Sequence, residues 1–355
     1  MRHWQKYLLC SLVFLLAGCG NSAAGTSVLD MPESEAELDS DQTEKEISAE
    51  TTIILTHTLP EDSELHRAAL YFKDTLEEIS EGSMTVDIYA GDSLGNIDDV
   101  NYFMNDTIDM RFGTGPVHTI PWIAYFPLIY DLSLDCMREA MQPGTPIWDL
   151  TCKQAEDAGA LFLGVFPATP RLLTSNRKIT CVEEMQGLKL RTFSNTVEAQ
   201  IWQALGAETT ALPIRQVALA LKEGVVEAEE NPISIIDAYG LYEYQDYVIE
   251  TDHRYYMDAV WMSQNFYQSL SEEKQQWITE AVGRMLEKYN IDHQAAYEAQ
   301  IREKLESEGM EFVEFPDSEK QKMREITGPL IENYFGQDAM EELWGAFTAS
   351  VEQVY

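Results

Sequence analysis

The sequence predicts an α/β fold with enough chain for two domains. Three observations lead there. The chain has 355 residues, and single hydrophobic cores stop growing near roughly 250–300 residues. It is 45% hydrophobic and 10% aromatic, enough to build a proper interior. From residue 51 onward, strand and helix signals alternate, as α/β folds require.

In chain order, Ile53–Thr56 is a short apolar strand. Leu65, Ala68, Ala69, Phe72, Leu76 and Ile79 then recur at helical spacing. Met84, Val86 and Ile88 alternate as a half-buried strand, closed by the turn residues Gly91-Asp92-Ser93. Further strand candidates are 108–112, 160–166, 188–192, 225–228, 255–262 and 310–315. The clearest helix starts at Ser271, an N-cap candidate followed by Glu272 and Glu273, which suit the positive helix end. Trp277, Ile278, Ala281, Val282, Met285, Leu286 and Tyr289 form its apolar stripe, and the helical signal runs to Gly309 with a candidate break near Asn290.

Sixty-one acidic side chains oppose 24 basic ones, for a formal charge of −37. Nucleic acid and anionic lipid surfaces would repel such a chain, which excludes them as partners. The N-terminus reads as an export signal. Arg2 and Lys6 precede an apolar stretch, Leu8 to Ala17, about half the roughly 20 residues a membrane span needs. Leu16-Ala17-Gly18-Cys19 resembles a bacterial lipobox, in which the peptide is cut before a cysteine that is then lipidated. Residues 1–18 are therefore read as a lipoprotein signal peptide with Cys19 as the lipidation site, and acyl chains there would hold the protein at a membrane surface. Residues 26–50 carry nine acids and one base, Lys45, so 19–50 reads as an extended, solvated tether.

Five cysteines are too few for a disulfide scaffold. Cys136 and Cys152 could close one disulfide worth about 3 kcal/mol, but connectivity cannot be read from sequence. No Cys-x-x-Cys or clustered histidines point to a metal site, and no cofactor motif occurs. Enzyme signatures are equally missing: no Gly-x-Ser-x-Gly, His-Glu-x-x-His, P-loop or Gly-x-Gly-x-x-Gly. Glu229 and Glu230 could supply the two carboxylates of a glycosidase, but neighbours on a strand point to opposite faces and would not converge.

The basic residues are more telling. Arg171, Arg177, Lys178, Lys189 and Arg191 face only Glu183 and Glu184 between positions 171 and 191, a net +3 in a strongly acidic chain. A guanidinium fork matches a carboxylate with two parallel charge-assisted bonds. The competing reading is that these cations pair with surface acids.

The runs Met185-Gln-Gly-Leu-Lys-Leu-Arg191, Gln203-Ala-Leu-Gly-Ala207 and Ala220-Leu-Lys-Glu-Gly-Val-Val-Glu-Ala-Glu-Glu-Asn-Pro232 resemble the substrate-binding proteins of TRAP transporters. These are the tripartite ATP-independent periplasmic systems, of the C4-dicarboxylate-binding type. Leu59–His66, Gly91–Gly95, Arg171–Arg177, Leu241–Gln245 and Thr251–His253 extend the resemblance, in order, over the whole body. It implies a two-lobed periplasmic-binding-protein-like clamshell with a hinge and a long helix touching both lobes. The first lobe would take 51–168 and 257–296, the second 169–256 and 297–355. Arg191 would grip the ligand carboxylate, Arg171 would be a second basic contact and Asn231 a polar one. Residues near His57 and the Phe112–Gly115 loop, with Thr114, would line the opposite lobe.

Three positions depart from the family pattern. The common Asp-Gly-Gln-Glu-Asn-Pro reads Glu227-Ala-Glu-Glu-Asn-Pro232, adding the acid Glu229. If Glu229 faces the ligand it favours a hydroxyl, an amine or a bound cation; it could equally face a helix or water. The usual Pro-Phe-Ser-Glu reads Pro213-Ile-Arg-Gln216, adding Arg215, a third anion contact or, more in keeping with its setting, a helix-surface cation. Thr114 replaces the glutamate of sialic-acid binders, disfavouring sialic acid.

The resulting expectation is a monomeric, non-enzymatic extracytoplasmic lipoprotein on the outer face of the cytoplasmic membrane. It would bind a small organic acid and pass it to a TRAP-type permease, without cofactor. The alternatives are the receptor of an ATP-driven importer or sensor, and an extracytoplasmic hydrolase.

Overall fold

The computed structural model describes residues 49–91, 93–94, 107–114, 134–193, 196–335 and 338–354. The leader, Cys19 and nearly all of the tether lie outside the described residues.

One five-stranded sheet is ordered β2-β1-β3-β11-β4. It comprises β1 (Thr51–His57), β2 (Met84–Tyr89), β3 (Met110–Gly113), β4 (Ala160–Val165) and β11 (Ala259–Ser263). β1 lies between β2 and β3 in parallel, while β11 runs antiparallel to both β3 and β4. The second sheet is ordered β12-β9-β5-β8-β6-β7, with β10 paired to β5. Its strands are β5 (Thr169–Ser175), β6 (Lys189–Thr192), β7 (Glu208–Ala211), β8 (Ala228–Pro232), β9 (Tyr247–Glu250), β10 (Tyr255–Tyr256) and β12 (Glu311–Glu314). The two sheets carry the two lobes.

Helix α1 (Glu64–Ile79) starts where Ser63 accepts from the His66 N–H, and it buries Leu65, Ala68, Ala69, Phe72 and Leu76, the expected apolar stripe. With α8 (Glu272–Lys288) it packs over the first sheet. The Ser271 cap of α8 forms as expected, its side chain accepting from the Lys274 N–H. Gly164 of β4 lets α8 approach: a side chain there would run into Leu286 Cδ1.

The long inter-lobe helix is two helices. Asn290 accepts from the His293 N–H and so caps a new one, α9 (Ile291–Ser307). An asparagine favours such a cap because its side chain competes for the backbone bonds a continuous helix needs. α9 packs on α6 (Ile233–Ala238), and with α5 (Ile214–Lys222) they cover one face of the second sheet.

Four further helices are α2 (Leu134–Ala140), α3 (Pro146–Asp157), α4 (Thr196–Ala204) and α7 (Gln264–Ser269). At the C-terminus, α10 (Asp317–Phe335) contacts α4, and α11 (Asp338–Val354) contacts α2 and α3. A third cluster joins Phe162 and Trp261 of the first sheet to Leu173, Leu190, Ala228 and Ile249 of the second.

The strand expectations need correction in the second sheet. β5, β7 and β9 are additional, the 225–228 strand lies at 228–232, and the 255–262 strand is split into β10 and β11. No described helix is long and apolar enough to cross a membrane. Cys152 is a free thiol, so the disulfide that the spacing permits is not formed; Cys181 is free as well.

Candidate functional site

Arg191 stands on β6 and is 1% exposed. Its Nε donates to the Leu212 carbonyl at 2.9 Å. Its Nη2 is buried with no hydrogen-bond partner among the described residues. Burial lowers the pKa of this arginine, opposed by the charges of Glu229 and Glu230. A desolvated cation with an unspent donor is costly unless an anion completes it.

The neighbouring strands place the other basic and polar side chains. Arg171 on β5 makes a two-bond fork with Glu230 of β8, and its Nη2 also donates to Asn231 Oδ1 at 3.0 Å. Burial works against its charge, but the Glu230 carboxylate more than offsets this and raises its pKa. Its guanidinium carbon lies 5.8 Å from the Tyr256 ring centroid. Asn231 donates from Nδ2 to Glu229 Oε2, so both ends of its amide are engaged.

Glu230 is the centre of a buried ionic cluster that sequence reasoning missed. His253 Nε2 lies 3.0 Å from its Oε2, and Arg254 Nη2 lies 3.5 Å from its Oε1. Arg254 also pairs with Glu198 at 3.2 Å, and His253 packs edge-on against Trp202. Burial favours the neutral acid for both carboxyls. The neighbouring Arg171 and Arg254 overcome this for Glu230, whose pKa falls well below its usual value. Glu198, with burial dominant over Arg254, is pushed up to about 8. Glu230 was legible as part of Glu-Asn-Pro, and His253 as part of Thr251–His253; their junction was not.

Glu229 points away from Glu230, as strand alternation requires, so the two carboxyls do not converge on one bond. It accepts or shares hydrogen bonds with Thr174 Oγ1 at 2.7 Å and with Asn231. Burial raises its pKa.

On the first lobe, His57 at the end of β1 is 1% exposed, with Nε2 2.9 Å from His66 Nδ1. Burial and the His66 charge lower its pKa to about 4, so the ring is neutral at pH 7. The backbone N–H of Thr114 engages Asp258, a carboxyl that also accepts from Tyr256 Oη at 2.6 Å; burial raises Asp258 to about 6. Arg215, at the start of α5, is exposed on the second lobe. Its Nη2 lies 3.7 Å from where a side chain on Gly91 would begin, so it reaches the first lobe. The expectation of a plain helix-surface cation is corrected to that extent. Tyr239 makes a second crossing, its Oη donating to the Thr58 carbonyl at 3.0 Å.

Cys181, Glu183 and Glu319 bring three potential metal ligands within 4.8 Å of one another. Lys322 already bonds Glu183 and lies 4.0 Å from Glu319, so an ammonium occupies that position. A hollow of about 760 Å³ is lined by Trp148, Phe166, Val282 and Leu286, and not by Arg171, Arg191 or Arg254. Arg138, the one cation lining it among the described residues, donates to the Ala168 carbonyl at 3.0 Å.

Residues 55–338 match the model of the bacterial extracellular solute-binding proteins, family 7 (DctP). A solute-binding protein of Roseobacter denitrificans is 30% identical over 270 residues, 75% of this chain and 82% of that protein. Its solved structure, with L-galactonate bound, matches at a TM-score of 0.75 and 27% identity, covering 84% of this chain and 99% of that one. The ectoine-binding periplasmic protein TeaA of Halomonas elongata is 28% identical over 293 residues, 80% of this chain and 85% of its own. The galactonate-binding protein of Advenella mimigardefordensis shares the fold at a TM-score of 0.77 and 22% identity, covering 85% of this chain and 98% of that one. These are substrate-binding proteins of transport systems, and the chain is not an enzyme. It belongs to the DctP family of TRAP solute-binding proteins.

Proposed function

We propose that this protein is a lipid-anchored receptor that closes on a small monocarboxylate and hands it to a TRAP-type permease. One observation carries the ligand class: the buried Arg191 guanidinium, fixed through Nε to Leu212, with Nη2 left unspent among the described residues. A carboxylate completes that fork and neutralises a charge held out of water. His57 and Thr114 on the first lobe, and Arg171, Asn231, Glu229 and Arg215 on the second, are the proposed surroundings of the ligand. Arg171 acts there mainly by orienting Asn231, since Glu230 takes up its fork. The galactonate-binding relative supports a sugar acid as the first candidate. Cys19 would supply the anchor and residues 19–50 the spacing from the membrane.

A zwitterion such as ectoine is a second reading, favoured by the Glu229 carboxyl beside Arg191 and by the ectoine-binding relative. The test is calorimetry with L-galactonate, D-galacturonate, succinate and ectoine against wild type and Arg191→Ala. The substitution should weaken carboxylate binding at least tenfold, about 1.4 kcal/mol, with the fold intact by circular dichroism. Equal affinity in the two proteins would remove Arg191 from the site.

A further inference from the structure

Among the described residues, the hydrogen bonds around Glu229 contain one more acceptor than the donors present can serve. Asn231 is oriented by Arg171, which bonds its Oδ1, so its Nδ2 serves Glu229 Oε2. Gln245 is turned so that its Nε2 donates to the Glu227 carbonyl at 3.4 Å, which leaves Gln245 Oε1 against Thr174 Oγ1. The Thr174 hydroxyl has one hydrogen, yet it meets two acceptor oxygens, Gln245 Oε1 and Glu229 Oε1. A proton on Glu229 Oε1 resolves the conflict. Glu229 then donates to Thr174, Thr174 donates to Gln245, and each group has a partner. An ionised Glu229 leaves two buried acceptors facing each other across one hydrogen.

The charges around this carboxyl point the same way. β6 presents Arg191, β5 presents Thr174, the loop before β9 presents Gln245, and its own strand presents Asn231 and Glu230. Helices α5 and α6 cover this side of the sheet with Val217, Leu221 and Ile236. Arg171, Glu198, Arg254 and His253 gather around Glu230, on the strand's other face, and Arg171 also attracts Glu229 past Asn231. Arg191 is thus the cation nearest to Glu229 on its own face. An ionised Glu229 would compete with a ligand carboxylate for Arg191, the guanidinium whose charge acts most strongly on it.

We propose that Glu229 is held as the neutral acid, hydrogen-bonded through Oε1 to Thr174, and that sealing a monocarboxylate against Arg191 requires that proton. The inference rests on the carboxylate reading of the site. As the neutral acid, Glu229 has the shape and charge of the glutamine common at this position. Carboxylate binding then takes up a proton wherever the open protein carries Glu229 ionised. A zwitterion's cationic group would instead draw Glu229 into the ionised form and release a proton. The sign of the proton count therefore reports the ligand class.

The experiment is calorimetry of L-galactonate, D-galacturonate and succinate at a series of pH values, in buffers of different ionisation enthalpy. On the alkaline side, uptake should approach about one proton per ligand, with affinity falling about tenfold per pH unit. Glu229→Gln should abolish both effects, while Glu198→Gln should keep them. Carboxylate binding with no uptake, or with release, overturns the proton assignment and leaves the carboxylate reading standing. Uptake that persists in Glu229→Gln overturns the assignment to this residue. No binding of any of the three acids at any pH overturns both. A ligand-free measurement runs alongside: the infrared difference between wild type and Glu229→Gln should contain the carbonyl stretch of a protonated carboxyl, and a carboxylate band in its place overturns the proposal.

Discussion

Replacing Glu230 by glutamine removes the anion on which Arg171, Arg254 and His253 converge. Two bonds from Arg171 and one from His253 reach the carboxylate, and hydrogen bonds to charged groups are each worth about 1.5–3 kcal/mol. Glutamine keeps one acceptor oxygen and turns an amide N–H₂ toward existing donors, so about half of that sum survives. The expected loss is about 2–4.5 kcal/mol, overlapping the roughly 3–5 kcal/mol found when one member of a buried ion pair is deleted. Guanidinium unfolding, followed by tryptophan fluorescence, measures it, with Trp202 against His253 as a local reporter. The pH dependence supplies a second reading. Glu230 titrates well below its ordinary value of 4.5 in the folded protein, so its contribution is present above that value and is lost as pH falls. The gap between wild type and Glu230→Gln should therefore narrow on acidification. A loss under about 1 kcal/mol at neutral pH, or a gap that widens in acid, would refute the reasoning.

Two other outcomes follow from the first lobe and the cleft. His57 is held near a pKa of 4 against an ordinary 6.5, so charging it opposes folding. Stability should fall by up to about 3 kcal/mol as pH drops between those values, and His57→Gln should flatten that part of a melting-temperature profile. Tyr239→Phe deletes the bond to the Thr58 carbonyl across the cleft. One such bond is worth about 0.5–1.5 kcal/mol, so ligand affinity by calorimetry should drop up to about tenfold, with far-ultraviolet circular dichroism unchanged.

The first sheet was legible because its strands alternate or run apolar: Ile53 and Leu55, Met84 and Val86, and Met110 and Phe112 all pack against α1 and α8. The second sheet was harder because its strands carry the site. β5 contains Arg171, Thr174 and Ser175, and β8 contains Glu229, Glu230 and Asn231, all buried and all polar. A hydrophobicity pattern places the apolar approach, Val225 to Ala228, and stops where the chemistry begins. The residues themselves were found through short motifs in series, which name positions without giving partners. That Arg171 spends its fork on Glu230, and that Arg191 keeps a donor unspent among the described residues, is set by the three-dimensional fold and leaves no trace in the motifs.

The cluster joining the two sheets bears on how the molecule comes apart. Phe162 and Trp261 from one lobe and Leu173, Leu190 and Ile249 from the other share one apolar interior with α2, α3, α4 and the two C-terminal helices. Neither lobe can melt without exposing part of the other's core. Heating should therefore give one cooperative heat-capacity peak for the body instead of two. A receptor built in this way denies proteases a separately unfolded half.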